Sequence, residues 1–407
     1  MSKVVLGVAG GIAAYKACEL LRRLQRDGHE VTVVPTAGAL EFVGAATWAA
    51  LSGRPVHTSV FADAHLVPHV KLGQEADLVI VAPATADLLA RAAGGRADDL
   101  LTNVLLTARC PVVYAPAMHT EMWQHAATQA NVDRLRSRGA VVVDPDSGRL
   151  TGPDSGPGRL PEPAELAAVA AMVLADPGVA RRAAARDLAE LTVAVSVGGT
   201  REHLDPVRFL GNASSGRMGW ALARAAGLRG AAVRVVAGHV EVPAPPNIDV
   251  ERVTSTADLA AAMEVAAKGA DVVVMAAAPA DFTPAKASQT KIKKSGGAGL
   301  GVDLVQTPDV LAGLVAARTD PRQVLVGFAA ETPGPEQSLV ELGRAKLAHK
   351  GCDLLVLNEV GPGKVFGQPD SEIIVLGGPE PVGPLSGSKD VLAHHIWDAA
   401  LAARDRR

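Results

Sequence analysis

Lys3-Val4-Val5-Leu6-Gly7-Val8-Ala9-Gly10-Gly11-Ile12 is an apolar run that ends on paired glycines and leads directly into a helical pattern over 12–26. In that pattern Ala14, Cys18, Leu21 and Leu24 fall on one face. A strand buried on both sides reads as an unbroken apolar run, and a following helix is the crossover that a parallel neighbour needs. The unit recurs, with strands expected at 30–34, 77–82, 112–115 and 140–143. A second series follows at 192–197, 232–237, 271–276, 323–328 and 353–357, with a late hairpin strand at 372–376. This alternation predicts an α/β chain of two doubly wound domains, 1–189 and 190–407. The Ala-rich helical stretch 165–190, broken at Pro177-Gly178, reads as the link between them. Two stretches break the rhythm. The Gly- and Pro-rich segment 144–163 reads as a functional flap, and the basic, Gly-rich segment 283–301 as a mobile loop.

Composition narrows the function. The 407 residues carry 40 Lys+Arg against 43 Asp+Glu, divided 18 to 20 before residue 190 and 22 to 23 after it. Neither half has the basic excess of a nucleic-acid or membrane-surface binder. Aromatic residues are 3%, too few for base-stacking platforms, and no apolar run approaches the length of a membrane span. Cys18, Cys110 and Cys352 are far apart with no metal-ligand spacing, which excludes a disulfide scaffold and a structural zinc site and fits a reducing compartment. The chain is read as a cytoplasmic enzyme that partners with neither nucleic acid nor membrane.

The strand–glycine–helix turn at Gly10, Gly11 and Ile12 offers backbone N–H groups and a positive helix end to an anion. Pro35-Thr36-Ala37, Pro83-Ala84-Thr85 and Pro116-Ala117-Met118-His119 put small and hydroxyl residues at further strand ends, where open α/β sheets bind ligands. Gly156-Pro157-Gly158-Arg159 follows, and His69-Val70-Lys71-Leu72 precedes the third strand. In this order the motifs resemble the homo-oligomeric flavin-containing cysteine decarboxylases, specifically phosphopantothenoylcysteine decarboxylase, over about residues 3–165. The resemblance implies a flavodoxin-like flavoprotein domain, with FMN held by Gly10, Gly11, Ile12, Thr36, Pro83, Ala84 and Thr85 near a subunit interface. His69 would be the essential histidine of the oxidation–decarboxylation stage. Met118 and His119 would bind substrate, although His119 stands where the family has an asparagine for the carboxylate. The family's proton-donating flap cysteine falls on Gly152, which cannot donate. Thr151, Asp154, Ser155 or water remain open as substitutes.

In the second half, Thr200-Arg201-Glu202, Asp205-Pro206-Val207-Arg208 and Asn212-Ala213-Ser214-Ser215-Gly216-Arg217-Met218-Gly219 follow a strand and make a second anion site before a helix. Ala277-Ala278-Pro279-Ala280-Asp281, Lys291-Ile292-Lys293-Lys294, Gln306-Thr307-Pro308-Asp309-Val310, Phe328-Ala329-Ala330-Glu331 and the i,i+4 pair Lys346/Lys350 come after it. These pieces resemble phosphopantothenate–cysteine ligase. The resemblance implies a Rossmann-like ligase domain that activates the carboxylate of 4′-phosphopantothenate with CTP and Mg2+ and then couples it to cysteine. Lys291 would support acyl-cytidylate formation and Asn212 would hold the intermediate. Arg208, Ala277, Asp281, Thr307, Pro308, Asp309, Val310, Phe328, Lys346 and Lys350 would bind substrates. ATP in place of CTP stays open, as do the metal ligands. Together the two resemblances imply a bifunctional enzyme of coenzyme A biosynthesis, assembled as a homo-oligomer, by resemblance a dodecamer. Two alternatives stand beside this reading: a ligase whose flavoprotein half is impaired, and a non-catalytic flavin-fold regulatory subunit.

Overall fold

The apolar runs of the first half become parallel strands: β1 (Lys3–Val8), β2 (Glu30–Pro35), β3 (Leu78–Ala84), β4 (Val112–Pro116) and the short β5 (Val141–Val142). This is a computed structural model, and it describes residues 1–58, 68–150, 154–245, 248–293, 300–332, 337–359 and 370–407. The chain divides into two units, Met1–Asp187 and Leu188–Arg407. In the first, the strand order β2-β1-β3-β4-β5 is that of a flavodoxin-type sheet, whose switch point lies between β1 and β3. All seven residues of β3 are buried, as a central strand covered on both faces requires.

The first helix runs Ala14–Arg26 and buries Ala14, Ala17, Leu20, Leu21 and Leu24. Cys18 is only half-buried, so the core stripe is set by Ala17 and Leu20 rather than by Cys18, a small rotation from the expected face. Segment 144–163 is more ordered than a loop: β6 (Asp146–Arg149) and β7 (Ser155–Arg159) pair antiparallel. Gly148, Gly156 and Gly158 hold φ between +147° and +155°, which side chains disfavour. This is why a glycine-rich stretch can form the hairpin. Residues 151–153 lie outside the described residues. Helices Pro163–Ala175 and Pro177–Ala185 follow, broken where the Asp176 carboxylate accepts from the Gly178 N–H at 2.7 Å.

The second unit opens with β8 (Thr192–Val197) and the small hairpin β9 (Glu202–His203) and β10 (Phe209–Leu210). It continues through β11 (Ala232–Ala237), β12 (Asp249–Arg252) and β13 (Val272–Met275). The start of the expected loop 283–301 pairs with residues just past its end in an antiparallel ribbon, β14 (Phe282–Pro284) with β15 (Leu304–Gln306). Then come β16 (Val324–Glu331), β17 (Leu354–Glu359), β18 (Asp370–Leu376) and β19 (Val382–Ser388). The large sheet runs β12-β11-β8-β13-β16-β17-β18-β19. Its six parallel strands are in the Rossmann order, with an antiparallel hairpin added at the far edge. The C-terminal helix Lys389–Asp405 packs Trp397 into the core, where its indole N–H donates to the Leu222 carbonyl at 2.9 Å. Among the described residues no single helix is long and apolar enough to cross a membrane.

Candidate functional sites

In the first unit the expected cofactor residues gather at the carboxyl ends of the strands. A Cβ on Gly10 would lie 2.7 Å from the backbone of Gly38, so only glycine lets the β1 turn approach the chain two residues beyond Thr36. A Cβ on Gly11 would meet only the Thr85 methyl, at 3.7 Å, leaving that face of the turn open toward Thr85. Thr36 and Thr85 cap short helices: the Thr36 hydroxyl accepts from Ala39 N–H at 3.2 Å and the Thr85 hydroxyl from Leu88 N–H at 3.3 Å. Each keeps its own proton to donate. The Pro83 carbonyl accepts from Ala9 N–H at 3.1 Å and the Ala84 carbonyl from Ala117 N–H at 3.1 Å, which locks the three strand ends together. This glycine cradle with two hydroxyls fits the phosphate and polar edges of a flavin nucleotide. Ile12 and Tyr15, beside the turn, are exposed.

The β6–β7 hairpin is docked beside this edge. Met118 N–H donates to the Gly158 carbonyl at 2.9 Å. Cβ atoms on Gly156 and Gly158 would come within 2.6 Å of the Thr120 hydroxyl and 2.2 Å of the Met118 carbonyl. His119 Nδ1 lies 3.8 Å from the Asp154 carboxylate, both half-exposed. His69 is placed elsewhere. It stands near the start of helix Pro68–Glu75, and its carbonyl accepts from the Thr107 hydroxyl, at the C-terminal end of helix Leu100–Thr107, at 2.8 Å. Lys71, Leu72 and Glu75 of the same helix line a cavity of about 390 Å³ with Lys3 and Glu30, the first residues of β1 and β2. His69 therefore belongs to the amino-end side of the sheet, opposite the glycine cradle. Its Nδ1 is buried with no hydrogen-bond partner among the described residues. Thr151 and Gly152 lie outside the described residues. Burial pushes the thiols of Cys18 and Cys110 up, and that of Cys352 to about 11, and none is on the hairpin.

In the second unit the motif residues divide into framework and cleft. Gly198 has φ +84°, and a Cβ there would meet the His239 carbonyl at 2.2 Å. The Thr200 hydroxyl accepts from Ala280 N–H at 2.8 Å, and Glu202, buried, accepts from Thr256 N–H at 2.7 Å. Both are thus framework residues. Asp205 is also buried and accepts from Val207 N–H and Arg208 N–H, each at 2.8 Å, and from Ile292 N–H at 3.1 Å. Burial pushes its carboxyl up, but these backbone bonds and the Arg208 charge outweigh it and hold the carboxyl below its usual value. Arg208 bonds Asp205 and the Ile292 carbonyl, both at 3.1 Å. The structure thus uses Arg208 and Asp205 to pin the base of the segment that presents Lys291, which is exposed. Lys294 lies outside the described residues.

A cleft of about 560 Å³ gathers Asn212, Ala277, Asp281, Thr307, Pro308, Asp309, Val310, Phe328, Lys346 and Lys350. Lys291 and Arg208 do not line it. Asn212 donates to the Pro279 carbonyl at 2.7 Å, which aims its amide across the β13 loop. Asp309 caps helix Val310–Ala317, accepting from Ala312 N–H at 3.1 Å, and pairs with Lys350. Burial opposes ionisation of Asp309, and the Lys350 bond overcomes it, so the carboxyl lies below its usual value. Lys346 binds Glu331 at 2.7 Å. Ser214, Ser215, Arg217, Asn358 and Lys389 also line the cleft. The serines and Arg217 belong to a motif read as an anion site, whereas nothing in the local sequence marks Asn358 or Lys389. Among the described residues no cluster of three or more His, Cys, Asp or Glu forms a metal site.

Comparison with known proteins covers both units. A family model described as flavoprotein matches residues 1–174, and one described as DNA/pantothenate metabolism flavoprotein C-terminal domain matches residues 188–403. The coenzyme A biosynthesis bifunctional protein CoaBC of Mycolicibacterium smegmatis is 52% identical over 408 residues, covering 98% of this chain and 97% of its own length. Its counterpart in Mycobacterium tuberculosis is 53% identical over 405 residues, covering 98% and 96%. That of Escherichia coli is 42% identical over 362 residues, covering 88% and 86%.

Proposed function

The chain belongs to the family of coenzyme A biosynthesis bifunctional proteins, and on that premise we propose that one chain carries two consecutive activities of that pathway. The second unit joins cysteine to 4′-phosphopantothenate, and the first decarboxylates the product to 4′-phosphopantetheine. The observation that carries the reading is the cleft of the second unit, where four separate motif strings and the Lys346/Lys350 pair converge on one cavity.

A carboxylate oxygen is a poor leaving group, so amide formation needs activation. The substrate carboxylate attacks the α-phosphorus of CTP, releasing pyrophosphate and leaving an acyl-cytidylate, and the cysteine amine then displaces CMP. Lys346 and Lys350 neutralise triphosphate charge. Their partners Glu331 and Asp309 keep both ammoniums in place before the nucleotide arrives. Lys291, on the ribbon arm pinned by Arg208, closes over the reacting phosphorus, and the Asn212 amide holds the intermediate while cysteine attacks. Asp281 lies among the CTP-binding residues of the cleft, and magnesium carried by the triphosphate would neutralise part of its charge.

In the first unit Gly10, Gly11, Ile12, Thr36, Pro83, Ala84 and Thr85 would hold FMN at the carboxyl-end cradle. When bound, FMN would take two electrons from the substrate thiol so that CO2 can leave and return them to the decarboxylated product, so that the reaction is redox-neutral overall. His119 and Met118 receive the substrate carboxylate, and Asp154 orients the His119 ring. His69 manages the proton. Because His69 lies on the far side of its own sheet, it serves the cradle of a second copy, so the flavin site is completed by assembly, as a dodecamer of this chain in the cytoplasm. Nucleic acid and membrane have no part in either reaction.

The test is purified protein with FMN, 4′-phosphopantothenate, cysteine, Mg2+ and either CTP or ATP. Formation of 4′-phosphopantetheine with CTP supports both halves. Accumulation of 4′-phosphopantothenoylcysteine alone returns the ligase-only alternative, and no cysteine incorporation overturns the reading.

A further inference from the structure

The decarboxylase reading leaves one proton without a donor. Once the substrate thiol has become a thioaldehyde, loss of CO2 gives an enethiolate, and the carbon that bore the carboxylate must take up a proton. That step regenerates a thioaldehyde, whose carbon accepts the returning hydride and becomes a thiolate, so protons and electrons balance. This proton goes onto carbon and is distinct from the one lost by the substrate thiol. Cys18, Cys110 and Cys352 all lie off the β6–β7 hairpin, so the donor is another group.

His119 follows Met118 just beyond β4, and its Nδ1 lies 3.8 Å from the Asp154 carboxylate, immediately before β7. Histidine is the side chain that gives and takes protons near neutral pH. A carboxylate only accepts, and an alkyl hydroxyl is a far weaker acid than an imidazolium, which places Asp154, Ser155 and Thr120 behind His119. The Thr120 hydroxyl is buried against Gly156, with no hydrogen-bond partner among the described residues. Position favours the same residue. A side chain that holds the carboxylate stands beside the carbon that carries it, so when CO2 leaves it faces the atom to be protonated. The fold does not need this ring, which precedes helix Thr120–Gln124 without a side-chain capping bond. The side chain is 48% exposed, so a ring that has given up its proton reloads from water.

We propose that His119 is a catalytic residue, the acid that protonates the carbon vacated by CO2. Nδ1 stays toward Asp154. Nε2, at the other edge of the ring, first holds the carboxylate and then passes its proton to the carbon. The proposal rests on the decarboxylase reading and adds the donor which that reading lacks.

His119→Asn, made in the full FMN-loaded chain, keeps a hydrogen-bond donor for the carboxylate and has no proton to release. Binding is measured by calorimetry with 4′-phosphopantothenoylserine, which lacks the thiol to be oxidised. Reaction of 4′-phosphopantothenoylcysteine is followed without oxygen through CO2, flavin absorbance and 4′-phosphopantetheine. The variant should bind the serine analogue as the wild type does, release about one CO2 per flavin and leave the flavin reduced. Its 4′-phosphopantetheine formation should fall about 10²–10⁴-fold. In D2O the wild type should place deuterium on that carbon, on the face that CO2 left. Full turnover by His119→Asn overturns the proposal, as does deuterium on the opposite face. Loss of analogue binding together with CO2 release would make His119 a binding residue only, which also overturns it. So would arrest with reduced flavin in Asp154→Ala, Ser155→Ala or Thr120→Val while His119→Asn turns over. A wild type that releases no CO2 overturns the decarboxylase reading itself. One that releases CO2 but leaves its flavin reduced keeps the decarboxylation and overturns the proposal.

Discussion

At the carboxyl ends of its strands the first unit offers glycines, capped hydroxyls and tied-back carbonyls, while the second offers lysines, an arginine and carboxylates already paired with them. The glycine cradle of the first surface is built of uncharged groups, suits a large cofactor that brings its own reactivity, and keeps His69 on the other side of the sheet. The second must manage a polyanion and a leaving group, so it assembles charge in one cleft within one chain. Electrostatic catalysis needs preorganised groups within reach of the reacting atoms. Cofactor chemistry needs mainly a cradle and correct orientation. On the proposed reading, the same α/β layout supports a site closed within one chain and a site completed by a second.

The largest effect should come from His69. His69→Gln should lower decarboxylation about 10²–10⁴-fold, measured on supplied 4′-phosphopantothenoylcysteine, with ligation unchanged. Mixing that variant with a chain carrying Gly10→Val, whose cradle is blocked by Gly38, should restore part of the activity if the site spans two copies. No restoration would place both residues in one chain's site and break the comparison. Next is Lys291→Gln, expected to slow CMP release about 10²–10³-fold while decarboxylation continues. Equal loss of both activities would mean that the units do not act separately.

A smaller effect is expected from Gly158→Ala. Its added Cβ would contact the Met118 carbonyl at φ +155°, costing about 1–3 kcal/mol of strain. Decarboxylation should fall as the hairpin lifts from Met118, with hydrogen exchange faster at the Met118 amide. The smallest is Asp205→Asn. The folded carboxyl lies below its ordinary value of 3.8, so its ionised form adds stability above that value, and this is lost as pH falls through the lower folded value. Melting followed from pH 7 downward should therefore show the Asn variant less stable at neutral pH and less sensitive to acid.

The strands were legible because burial on both faces writes itself as uninterrupted Val, Ile, Leu and Ala, and the helices because they alternate with those runs. What was not legible lacked that signature. The β6–β7 hairpin is built from Gly, Ser, Asp, Arg and one Pro, and its pairing depends on glycine backbone angles. The β14–β15 ribbon has three-residue strands of mixed polarity. The first helix carries apolar or small residues on several faces, so Cys18 and Ala17 competed for the core and tertiary packing chose Ala17. The cleft residues were readable where a motif string held them together. Arg208 was readable as a cation, but its task, holding the Lys291 segment to Asp205, depends on a contact with Ile292 across 84 residues. Lys389 belongs to no string, and only the folded sheet brings it beside Arg217.

The most direct test of two coupled activities in one chain is the product balance of a single reaction. With 4′-phosphopantothenate, cysteine, CTP, Mg2+ and FMN, the account predicts one CMP and one pyrophosphate released for each 4′-phosphopantetheine formed, with one CO2. CMP and 4′-phosphopantothenoylcysteine accumulating in equal amounts without CO2 would contradict it.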